Sequence, residues 1–201
     1  VCGGGKNMSS MSLRPLLVLS MLFLISACAS TPCARFHQGT WCAAPLIATP
    51  PFYEQEQSVI LEREGNRQQA IATVQWTEKA FEQTMLTPFG QLLYRLRFSE
   101  DRLSIERGAL PFVFAPEYAL LDVQTMIWPV ALVQSRLPSD MRLIENAEQT
   151  HRQLFAGTDL MAEVFVHADG STELLHYLLS YRIVVKPIST RMTATEAVEN
   201  L

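Results

Sequence analysis

Apolar residues recur every second position through the first half of the chain. In "QQAIATVQW" (68–76), Ala70, Ala72, Val74 and Trp76 alternate with more polar neighbours, the signature of a half-buried strand. "KAFEQTML" sets Phe81, Gln83 and Met85 on one face, and "QLLYRLRF" opposes Leu92, Tyr94, Leu96 and Phe98 to Leu93, Arg95 and Arg97. "SVILERE" before them and "LSIER" after them bring the strands to five, with turns at Gly65-Asn66, "TPFG" and "SEDR". No connection is long enough for a crossover helix, so the strands pair as an antiparallel meander.

The period then changes. In "PEYALLDVQTMIW", Tyr118, Leu121, Thr125 and Trp128 fall at helical spacing, Pro116 suits a first turn and Pro129 ends the run. "VALVQSRLP" is ambiguous and reads as loop with room for a helical turn. Strands resume in "MRLIE", "THRQLFA", "LMAEVFVH", "TELLHY" and "YRIVVKPI", with a hairpin turn at Asp169-Gly170. The pattern predicts a mainly antiparallel β fold of about ten strands with one helix inserted midway. The folded domain spans 56–190. Residues 191–201 form a polar tail, and 28–55, rich in Pro, Ala and Thr and without a period, form a tether whose Phe36, Trp41, Leu46 and Ile47 pack in part.

Ahead of the tether, Leu16 to Ile25 is apolar except for Ser20. It is too short to span a bilayer, which takes about 20 residues. Arg14 precedes it and no acid occurs before Glu54, so it reads as a signal peptide within residues 1–27, translated from Met8 or Met11. Ile25-Ser26-Ala27-Cys28 resembles the bacterial lipobox. That resemblance implies a lipidated Cys28 as the first mature residue and, with Ala29 and Ser30 following and no Asp, an outer-membrane destination facing the periplasm. Cys33 and Cys42 would then meet an oxidising compartment, where a disulfide around "ARFHQGTW" is expected over two free thiols. Their spacing is neither C-x-x-C nor a zinc pattern.

Processing would remove Lys6 and Arg14 and no acid, taking the formal charge from −4 to −6. An acidic chain without a basic block is a poor nucleic-acid binder. His37, His151, His167 and His176 accompany no G-x-S-x-G elbow, no metal-ligand spacing occurs, and "GGGK" lacks P-loop spacing. A non-enzymatic protein with no cofactor and no metal is expected. Asp122 and Gln124, near Trp128, form a polar cluster suited to capping or to bonding loop backbone.

The segment "VQWTEKAFEQTMLTPFGQLLYRLRF" resembles the LolB family of outer-membrane lipoproteins, which receive lipoproteins from the soluble carrier LolA. "EYALLDVQTMIWP" and "YRIVVKPI" resemble a smaller group of uncharacterised bacterial lipoproteins encoded beside aryl polyene gene clusters. The resemblance implies an incomplete, open β-barrel of the LolA/LolB type, palmitate and related acyl chains on Cys28, and a LolA-like partner. It also implies a protruding apolar residue after the third strand, here Phe89 beside Pro88. A large antiparallel sheet must cover its concave face, and a single helix is a small lid for ten strands. An apolar cavity lined by Val74, Trp76, Met85, Leu96, Leu121, Met126 and Phe165 is therefore expected to hold an acyl or lipid-linked ligand. The alternative is a scaffold lipoprotein of an envelope or polyene-biosynthesis assembly, with a filled core.

Overall fold

Two five-stranded meanders join into one sheet. The computed structural model describes residues 32–36, 39–46, 53–108 and 117–192; Cys28, the signal segment, Ile47 and Pro116 lie outside them. A short hairpin, β1 (Cys33–Phe36) and β2 (Gly39–Cys42), precedes the sheet. The first meander is β3 (Tyr53–Arg63), β4 (Asn66–Trp76), β5 (Phe81–Leu86), β6 (Leu92–Ser99) and β7 (Arg102–Arg107). The second is β8 (Met141–Glu145), β9 (His151–Ala156), β10 (Asp159–Val166), β11 (Thr172–His176) and β12 (Tyr181–Met192). The order is β7-β6-β5-β4-β3-β12-β11-β10-β9-β8, antiparallel throughout.

The seam is the β3–β12 pair, in register from Arg63↔Tyr181 to Tyr53↔Met192. The register shifts between Pro187 and Ser189, a bulge at the residue that has no N–H for the ladder. Strand pairing thus reaches beyond 56–190 at both ends. β7 and β8 are sheet edges that do not pair with each other, so the barrel stays open. The chain crosses between them through α1 (Glu117–Ile127) and α2 (Val130–Gln134). The helical turn allowed for in "VALVQSRLP" is α2, five residues long: Val133 is buried, and Pro129 starts the turn that also stops α1.

The sheet curls around α1. Trp128, just past the helix, stacks on Trp76 of β4 at 4.4 Å between centroids and meets Phe81 of β5 edge-on at 5.6 Å. Its carbonyl accepts a 2.9 Å hydrogen bond from Arg152 of β9. Strands β4 and β9 are five places apart, about 24 Å across a flat sheet, so only a curved sheet lets both reach one residue. Arg152 also donates to the Thr125 carbonyl at 2.9 Å and pairs with Glu145 at 2.7 Å. It thereby caps the helix C-terminus with a cation, where the dipole favours one.

Two local features differ from the sequence pattern. In β6, the shift opposite Met85 and Leu86 turns Leu93 inward beside Tyr94 and leaves Leu92 half-buried. Next to it, Gly108 donates to the Leu93 carbonyl at 2.9 Å, and a Cβ on Gly108 would lie 1.7 Å from the Leu92 oxygen. Only glycine fits that approach. The second difference is the tether, which contains the β1–β2 hairpin, closed by a Cys33–Cys42 disulfide across directly paired residues. Strands of four residues are too short to show a period. Trp41 of β2 and Ala43 and Ala44 just after it are buried in the main core.

Candidate ligand cavity

Along β3 the inward positions are Tyr53, Gln55, Gln57, Val59 and Leu61, and along β12 they are Ile183, Val185 and Pro187. Both sets face a cavity of about 290 Å³. Val74 of β4, then Phe81, Gln83 and Met85 of β5, form one wall, and Ala119, Asp122, Val123, Met126 and Ile127 of α1 form the cover. The strand period explains the arrangement: every second residue of the two seam strands points to the concave side, and α1 lies across them. The lining is chiefly aliphatic and aromatic, with the glutamines of β3 at the end where that strand begins.

Two glutamines hold the cover in place. Gln124 is fully buried; its Oε1 accepts from Ala44 N–H and its Nε2 donates to Ala44 C=O, each at 2.8 Å. Trp128 Nε1 donates to the Pro45 carbonyl at 3.2 Å. The segment after the disulfide hairpin is thus strapped over α1. Gln134 of α2 acts likewise on the edge strand β8, donating to Met141 C=O at 3.0 Å and accepting from Leu143 N–H at 2.7 Å, which covers backbone groups that an open edge would expose.

Away from the half-buried glutamines of β3, two polar side chains of the lining are buried, Asp122 and Gln83. Tyr181 of β12 donates to Asp122 Oδ2 at 2.7 Å, and Tyr94 of β6 donates to Gln83 Oε1 at 2.9 Å. Burial pushes the Asp122 carboxyl up to about 7, against the lowering effect of the Tyr181 bond. Burial also raises Tyr94 and Tyr181, the nearby Asp122 charge adding to each, and it holds His176 down to about 4.

Phe89 is 92% exposed. Its turn is tightly built: Gly90 N–H donates to Thr87 C=O at 2.9 Å, Thr87 N–H to Gln91 C=O at 2.8 Å, and Gln91 N–H to Thr87 Oγ1 at 3.1 Å. Gly90 takes φ +82°, the left-handed residue that closes a three-residue hairpin loop, while Pro88 presets the turn's first corner. Phe89 therefore stands on a rigid tip at the end of the sheet marked by Leu61.

Of the residues expected to line a cavity, Val74, Met85 and Met126 do so. Trp76, Leu96 and Leu121 are buried but belong to the packed core instead: Trp76 is covered by Trp128, and Leu96 of β6 and Leu121 lie outside the cavity wall. Phe165 is on the other face of the sheet, because Ala162 and Val164 take the inward positions of β10; it stacks on His151 at 4.5 Å. Sequence reasoning missed Gln55, Gln57 and Gln83 as lining residues. The alternation that placed Gln83 on the inward face was the available signal.

The sequence pattern of a family described as a protein of unknown function, DUF3261, matches residues 54–189. The chain belongs to the DUF3261 family. The match covers the seam strands, the cover helix and the Phe89 turn of this DUF3261 protein, and it begins after the disulfide hairpin. Comparison with curated proteins returns no match. Among solved structures, a DUF1329 family protein from Desulfovibrio piger aligns with TM-score 0.46 and 8% identity, covering 73% of this chain and 87% of that one. A domain described as an outer membrane lipoprotein-sorting protein from Vibrio parahaemolyticus aligns with TM-score 0.40 and 8% identity, over 73% of this chain and 87% of that one.

Proposed function

We propose that this DUF3261 protein is a non-enzymatic lipoprotein, tethered to the periplasmic face of the outer membrane through Cys28, that holds an acyl or lipid-like ligand between α1 and the seam strands. The observation that carries the reading is the cavity of about 290 Å³ under a strapped helix. That volume lies at the lower edge of ligand pockets, about 300–1,000 Å³. With a methylene group somewhat smaller than a water molecule's share of about 30 Å³, it admits roughly ten methylenes. At about 0.8 kcal/mol each, their burial is worth about 8 kcal/mol before the cost of association. Such a balance suits a carrier that must release what it takes.

Phe89, on its rigid turn, supplies an apolar tip for contact with a membrane or with a LolA-like carrier, and the ligand passes by partition without a cofactor. The test is mass spectrometry of the protein purified from its own membranes. A stoichiometric acyl or polyene-like molecule released on denaturation is the expected result. Protein free of any such ligand, together with pull-down of an envelope assembly, would favour the scaffold reading.

A further inference from the structure

We infer that the cavity selects a chain bearing an uncharged group that both donates and accepts a hydrogen bond, a hydroxyl or an amide, over a bare hydrocarbon or a free carboxylate; this rests on the ligand-binding reading above. The carrying observation is a pair of incompletely used, buried polar side chains, Asp122 and Gln83, facing the same cavity away from its half-buried glutamine end. Asp122 is 5% exposed and faces the cavity. Its Oδ2 accepts from Tyr181, and its Oδ1 makes no hydrogen bond among the described residues. Gln83 is 6% exposed and faces the same space. Its Oε1 is used by Tyr94, and its Nε2 makes no hydrogen bond among the described residues.

The free Asp122 oxygen and the free Gln83 N–H open onto the cavity, and a ligand that fills that space strips them of water, at a cost unless it supplies hydrogen bonds of its own. A ligand hydroxyl or amide restores both bonds, donating to Asp122 and accepting from Gln83. An alkane restores neither. A ligand carboxylate accepts from Gln83 but sets a second negative charge near Asp122, which a water-poor site penalises. Recognition then resides in the polar group, and the apolar walls accept the chain it is attached to.

The experiment uses the full chain, purified from membranes and anchored in phosphatidylcholine vesicles at about pH 8.5, above the Asp122 value of about 7. Three probes, 1-bromododecane, 12-bromododecan-1-ol and 12-bromododecanoic acid, are compared at equal mole fractions in the bilayer, so that hydrocarbon transfer cancels. Bromine quenches nearby tryptophan, and the cavity wall residue Phe81 contacts the Trp128 ring. The alcohol is expected to half-saturate quenching at a mole fraction about tenfold lower than either other probe, the effect of one or two good hydrogen bonds. Asp122→Asn should lessen the disadvantage of the acid relative to the alcohol.

Equal quenching by alcohol and alkane, or an acid as effective as the alcohol, would overturn the inference while leaving a cavity that binds hydrocarbon. Quenching by none of the three would remove the ligand-binding reading along with it. The comparison among probes on the unaltered protein decides the matter even where Asp122→Asn folds poorly.

Discussion

The strap over α1 makes a sharp energetic prediction. Gln124→Leu keeps most of the side-chain volume and removes both hydrogen bonds to Ala44, each 2.8 Å long and fully buried. The Ala44 N–H and C=O then have no partner, at about 1–3 kcal/mol for each buried unsatisfied group. Part of that is recovered by the greater apolarity of leucine, so the expected loss is about 3 kcal/mol. At about 2–4 °C per kcal/mol for a domain of this size, Tm falls by roughly 6–12 °C. Urea denaturation followed by tryptophan fluorescence measures it directly, since Trp41 and Trp128 both pack at this junction. Gln134→Leu, whose bonds are only part-buried, serves as the comparison and should lose less. A change under about 0.5 kcal/mol for Gln124→Leu, the size of an ordinary surface substitution, would refute the view that this glutamine fixes the cover of the cavity.

Asp122 should make stability depend on pH. Its folded value of about 7 stands above the ordinary aspartate value of 3.8, so between those values the folded state binds the extra proton and stability falls as pH rises, with the full penalty present above the folded value. Asp122→Asn should therefore gain stability relative to the parent on going from about pH 4.5 to about pH 8.5; a difference that does not change with pH would contradict the burial argument. Phe89→Glu should leave Tm unchanged, because the side chain is 92% exposed, yet abolish ligand transfer to vesicles, and normal transfer would remove the tip from the mechanism. Reducing the Cys33–Cys42 disulfide, which closes a short loop, should destabilise the protein by about 2.7 kcal/mol on the chain-entropy account, read from denaturation with and without reductant.

The sheet was legible in the sequence wherever one face meets solvent. β4 alternates without exception from Ala70 to Trp76, and its buried positions follow that alternation. α1 was legible for the same reason at a different period, bounded by prolines on both sides. The features that build the site were harder to read. The seam pairing of β3 with β12 joins residues more than a hundred positions apart, and no local pattern encodes it. Phe165 looked like a lining residue because it is large and aromatic, but the parity of β10, set by Ala162 and Val164, turns it outward. The β1–β2 hairpin has too few residues for a period, and its place in the core rests on Trp41 and on Gln124, a helix side chain bonding to backbone 80 residues earlier. Polar residues at inward positions, Gln83 and Asp122 among them, were the visible hint that this interior is not a uniform apolar filling.

The most direct test of the cavity is crystallographic. Crystals of the protein soaked with 1-bromododecane, measured at the bromine absorption edge, should show a bromine site enclosed by Phe81, Met85 and Met126 beneath α1, with the chain running along the inward residues of β3. A saturated soak that leaves this space without hydrocarbon, or that places bromine only on the outer surface, would contradict the account.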